Sequence, residues 1–361
     1  MSDVPVSDVP VTDLPVSDVP VTDREVIAPA SVPPGIGPSG AAAQIPLATI
    51  ALITGAALLA GAYLGTVPLL IAVAVAQLVL VLSWVFGTGL PGRIGAVVIG
   101  VLASGAADAA LVRWNDHGYQ PVLGVLGVAL PVMFIHQLTR GVVRTRVVES
   151  LADITVLLLS VCSMAGLVLL RYQGNGDRTT LAVIGAIGAG LVVAHLTDAV
   201  FPVLRFDPKI DRGLPAVVLG IAAGGAVGTL ALRDIIDYAG GRALFVGAAV
   251  AAVACLLSIG ASFAGVHSTL LPGRLADGRA VGARAEDNGE AAGEVAPVVG
   301  AAGLDKSTSD AAGQEQEQEQ EQVDDIRVWS GVPRLRPVAA VLISFALAVP
   351  AGYVLVTALG A

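Results

Sequence analysis

A chain of 361 residues with 55% hydrophobic and 14% charged side chains, and a mean hydropathy of +0.80, excludes a soluble globular domain, in which charged residues make up about 25%. The net charge of -9 comes largely from two polar segments, and the absence of a basic footprint excludes nucleic acid as a partner. The two cysteines, Cys162 and Cys255, both lie in apolar stretches, which excludes a disulfide framework or a zinc site and leaves them as small packing residues.

The chain opens on a pentapeptide repeat running through SDVP, VSDVP, VTDLP and VSDVP. Proline at every fifth position blocks a helix and the regular aspartates oppose collapse, so residues 1–44 are expected to be a disordered, acidic, Pro-rich tail. The basic-then-apolar order of a cleavable signal is missing from it, and the first apolar stretch is expected to act as an uncleaved anchor.

A helix rises about 1.5 Å per residue, so about 20 apolar residues cross a hydrocarbon core of about 30 Å. Stretches of that length occupy residues 45–64, 66–86, 94–112, 121–138, 151–170, 180–203, 214–232, 243–265 and 337–359. The fold class expected is therefore all-α: a polytopic transmembrane helical bundle of about nine helices in a lipid bilayer. Gly65 and its neighbours alone separate the first two, which predicts a tight helical hairpin. Residues 45–265 would hold helices one to eight and residues 337–361 the ninth. Residues 266–336, with alternating Gln and Glu from Gln314 to Gln322, would be a disordered cytoplasmic insertion.

Fifteen of the 20 Lys and Arg residues fall in the N-terminal tail and in the loops after the even-numbered spans. The positive-inside rule then places the N-terminus in the cytoplasm and the C-terminus outside. Basic residues are almost all Arg, and with the Ala, Gly and Val richness this suggests a GC-rich bacterial genome and a location in the inner (plasma) membrane.

Within the spans, Gly220, Gly224 and Gly228 recur at every fourth residue, a stripe of small residues that lets a neighbouring backbone approach closely. The stripe suits packing within the chain, or a homodimer or other membrane-protein partner. Ionisable groups at membrane depth are costly unless paired, and five stand out: Asp108, His136, Asp153, His195 and Asp198. Asp108 is expected to pair with Arg113. His195 and Asp198, three apart, share a helix face, and the following RFDPKIDRG stretch adds Lys209, Asp211 and Arg212. Together these form a candidate polar vestibule for a lipid headgroup, a nucleotide phosphate or a metal held by Asp198. Phosphate-binding glycine loops, H-E-x-x-H and G-x-S-x-G are all absent, and no nucleophile stands with a base.

The order of Thr197-Asp198 near a span end, Asp207-Pro208-Lys209 with Gly213, Leu270-Leu271-Pro272-Gly273, and Ser330-Gly331-Val332 before a last span containing Val349-Pro350 and Tyr353 resembles the CDP-diacylglycerol synthase family of membrane phosphatidate cytidylyltransferases. The resemblance implies phospholipid metabolism, with Mg2+ as cofactor if the activity is kept. The sequence departs from the family where the chemistry is done. Val266 stands where the family has a metal-binding acid, Arg274 follows Gly273 where it has His, and no Asp-Arg-x-Asp follows. Transfer between two anionic substrates needs carboxylates to seat divalent metals. The expectation is thus an inactive or divergent relative without an intact catalytic site. The alternatives are an active CTP-dependent enzyme using Asp198, Lys209 and Asp211, and a transporter or permease.

Overall fold

The computed structural model describes residues 40–89, 93–139, 147–201, 205–207, 210–239, 241–262 and 333–359. The repeat tail up to Ser39 and the Gln-Glu segment lie outside them. Among the described residues are nine helices long and apolar enough to cross a membrane, the architecture of a multi-pass membrane protein. In chain order they are α1 (Gly40–Leu64), α2 (Thr66–Thr88), α3 (Arg93–Arg113), α4 (Gln120–Thr139), α5 (Val147–Arg171), α6 (Gly176–Val200), α7 (Leu214–Leu232), α8 (Arg242–Ser262) and α9 (Arg336–Leu359).

Most helix ends differ from the sequence reading by a few residues, and two differences have a clear local cause. Helix α1 begins at Gly40, so residues 40–44, assigned to the tail, are helical. The run Ala41–Ala43 explains it, since alanine has the highest helix propensity and outweighs the glycine before it. The RFDPKIDRG stretch, read as a loop, contains a short antiparallel β-hairpin, Arg205–Asp207 against Ile210–Gly213, with Arg205 opposite Gly213 and Asp207 opposite Ile210. Pro208 and the charged residues hide any strand periodicity in so short a segment.

The turn between α1 and α2 is Gly65 alone. Its φ of 130° belongs to a region open to glycine and closed to other residues. Hydrogen bonding continues through it, Gly65 N donating to Gly61 O and Leu69 N to Gly65 O. A Cβ at Gly61 would lie 3.0 Å from the Ala72 Cβ, so the two helices cross in near backbone contact.

Helices α5 and α6 form the centre, each with 72% of its span buried, against 22% for α4 at the edge. Helix α6 packs between α1 and α7, α3 packs on α2, α4 and α5, and α9 leans on α5, α2, α1 and α6. Outward-facing Leu, Ile, Val and Phe side chains cover the remaining faces, as lipid contact requires. Six buried or half-buried hydroxyls are satisfied inside their own helix: Thr155, Ser160, Thr197, Thr229, Ser344 and Thr357 each donate to the carbonyl four residues earlier.

Candidate functional site

The last turns of α6 carry His195 and Asp198, 1% and 6% exposed. They share a face but reach different neighbours. His195 Nδ1 lies 2.8 Å from Gln44 Oε1 on the first turns of α1, which makes Nδ1 the protonated nitrogen of that pair. Asp198 Oδ1 accepts the backbone N–H of Gly213 at 2.9 Å. Gly213 is the N-cap of α7, so a carboxylate from α6 sits at the positive end of that helix and takes a donor its first turn leaves unpaired. Further interactions engage Gln44, His195 and Asp198, so none of the three is free. Asp211 and Arg212 are placed by their backbone on the second strand, and Lys209 lies outside the described residues. Val266, the Leu270–Gly273 stretch and Ser330–Val332 lie outside them too. Among the described residues no three His, Cys, Asp or Glu side chains gather as a metal would need.

The glycine stripe of α7 is occupied from within the chain. A Cβ on Gly228 would lie 2.7 Å from both the Gly247 Cα and the Ala243 carbonyl oxygen of α8. One on Gly224 would collide with the Ala251 side chain, and one on Gly220 would come 2.8 Å from the Gly190 carbonyl of α6. The stripe therefore seats α6 and α8 and presents no open face to a second copy.

Asp108 is 7% exposed and does not turn to Arg113. Five residues of helix rotate by about 140°, so the two side chains leave α3 on different sides. The Arg113 guanidinium lies 5.9 Å from the centroid of the Trp114 ring. Asp108 instead faces Gln77 on α2, which sequence reasoning passed over. Gln77 Nε2 donates to Asp108 Oδ1 at 3.1 Å and to the Val161 carbonyl of α5 at 3.0 Å. Gln77 is 1% exposed, and its Oε1 has no hydrogen-bond partner among the described residues. A signal was there to find: Gln77 is the lone carboxamide in the 23 residues of α2, whose other members are apolar or small. The approach is made by small α3 residues on the same stripe, Ala96, Gly100, Ser104 and Ala107, with Gly100 against Val81 of α2.

His136 of α4 lies at the other end of α3, its ring over Gly95 and its Nε2 buried without a partner among the described residues. Nearby, Trp84 Nε1 donates to the Asp153 carbonyl at 3.0 Å, tying α2 to α5, and Arg336 Nε donates to the Gly87 carbonyl at 3.0 Å, tying α9 to α2. The opposite end is held by tyrosines. Tyr119 and Tyr353 meet edge to face at 4.8 Å, and Tyr238 donates to the Val356 carbonyl at 3.1 Å. Burial pushes the hydroxyls of Tyr119 and Tyr238 above the ordinary phenol range, so both stay protonated.

Comparison of the chain with protein-family models, with curated proteins and with solved structures finds no match. The geometry just described is that of a multi-pass helical bundle with a polar clasp at the end of α6 and a polar cluster between α2, α3 and α5.

Proposed function

We propose that this chain is a non-catalytic bacterial inner-membrane protein, a divergent relative of the lipid cytidylyltransferases that acts as a scaffold in envelope-lipid metabolism. The N-terminus is cytoplasmic and the C-terminus outside. The observation that carries the reading is the Asp198 carboxylate bound to the Gly213 N–H, beside a His195 ring bound to Gln44. Asp198, the metal ligand of the active-enzyme alternative, is bonded instead to the N-cap of α7. That bond occupies part of the carboxylate's acceptor capacity and gives Asp198 a role in the fold that needs no metal.

The test is binding of labelled CTP to the purified protein with and without magnesium, alongside Asp198→Asn. The expected result is no saturable, magnesium-dependent binding to either protein. Saturable binding to the parent that disappears in the variant would overturn the reading in favour of an active CTP-using enzyme.

A carrier is the second reading, and the Gln77–Asp108 pair favours it. An ionisable residue inside a membrane bundle, facing its interior, is the usual mark of an ion or substrate path. Substrate-driven flux in liposomes, abolished by Asp108→Asn, would select this reading over the scaffold.

A further inference from the structure

The Gln77 amide nitrogen is where three helices meet. It bridges Asp108 of α3 and the Val161 carbonyl of α5, while the oxygen of the same amide is buried with no hydrogen-bond partner among the described residues. Every buried polar atom in a lipid-embedded core costs free energy unless paired, so this orientation is incomplete by one partner.

The two ends of a carboxamide are almost the same size, and half a turn about its last bond exchanges them. After that exchange Gln77 Oε1 occupies the place of Nε2, within hydrogen-bond distance of Asp108 Oδ1 and of the Val161 carbonyl oxygen. Three oxygens then converge, one of them carrying charge. Such a set repels itself unless a cation lies among them, and oxygen-only ligands are the preference of hard cations. One carboxylate is neutralised by one monovalent charge. A divalent ion would leave a net positive charge in the bundle, at a cost of several kcal/mol.

We propose that Gln77, Asp108 and the Val161 carbonyl form a monovalent-cation site inside the membrane bundle, with the Gln77 carboxamide as its switch. In the cation-free state the amide N–H groups take the cation's place between the carboxylate and the carbonyl. In the occupied state the amide turns its oxygen inward to join the carboxylate and the carbonyl around the cation. The cation is sodium or a proton, which share the property of neutralising Asp108 and are separated by experiment.

The groups around Asp108 leave it as the titrating centre. Helix α2 offers the neutral Gln77, and α5 offers the Val161 carbonyl followed by the buried Cys162 thiol. The lone histidine of α4, His136, packs against Gly95, thirteen residues and about 20 Å along α3. Arg113, on Asp108's own helix, leaves from another side. The site goes beyond the scaffold reading and does not depend on it, because the CTP assay reports on Asp198 of α6 while the site is built from α2, α3 and α5.

The experiment uses the full-length protein in lipid nanodiscs at constant ionic strength, with choline chloride exchanged for sodium chloride across a range of pH. Thermal unfolding and bound radioactive sodium are both read. We expect saturable sodium binding and a Tm that rises with sodium, both lost in Asp108→Asn, which keeps an oxygen for the Gln77 amide to bond. Gln77→Met, which removes the third oxygen at similar volume, should lose them as well. A Tm that ignores sodium but rises as pH falls, with the dependence gone in Asp108→Asn, supports the site with the proton as its cation. Parent and Asp108→Asn proteins that respond identically to sodium and to pH would overturn it. Should the variants fail to fold, absence of saturable sodium binding and of any pH response in the parent protein overturns it equally.

Discussion

The clasp at the end of α6 and the cluster between α2, α3 and α5 use the same chemical vocabulary, one carboxylate and one glutamine each, to opposite ends. In the clasp Asp198 meets a backbone N–H, Gln44 meets a ring nitrogen, and further contacts engage both. In the interior Gln77 gives two hydrogen bonds and receives none at Oε1. The first arrangement is complete and spends its polarity on assembly. The second leaves one acceptor over, and that surplus distinguishes a binding site from a structural knot.

The comparison can be broken most forcefully on the structural side. Gly228→Leu drives a side chain into the Gly247 backbone, where no rotamer change relieves the overlap. Overpacking costs about 1–3 kcal/mol where side chains yield, and here backbone must move, so the expected outcome is loss of the folded species on size-exclusion chromatography. A Gly228→Leu protein that stays folded would mean that α7 and α8 are not in contact. Next in size, Asp198→Ala should cost about 1–2 kcal/mol, the usual price of losing a helix-capping acceptor, read as a lower Tm that sodium does not rescue. Asp198→Asn retains an acceptor and should recover most of the loss. Smallest, Tyr238→Phe removes one bond to Val356 and should cost about 1 kcal/mol, with no effect on the sodium response. If Tyr238→Phe abolished that response, the interior cluster could not be an independent site.

Much of the fold was legible because lipid imposes its terms on each span separately. All nine helices overlap the apolar stretches read from composition and length, with ends differing by a few residues. The Gly65 hairpin and the four-residue glycine period were legible for the same local reason. What one helix faces on another was not. Asp108 and Arg113 are close in sequence, yet the helical rotation between them sends them apart. Gln44 and His195 are 151 positions apart, and nothing local links them. The roles of Asp198 and Gln77 follow from how α6 and α2 are turned about their own axes. That rotation is set by packing summed over many small residues, which no single motif encodes.

The one-residue turn at Gly65 also has a consequence for how the protein is made. With no loop between Leu64 and Thr66, there is no segment for the insertion machinery to export or retain between the two helices. Helices α1 and α2 therefore enter the bilayer as one unit, a hairpin closed at Gly65.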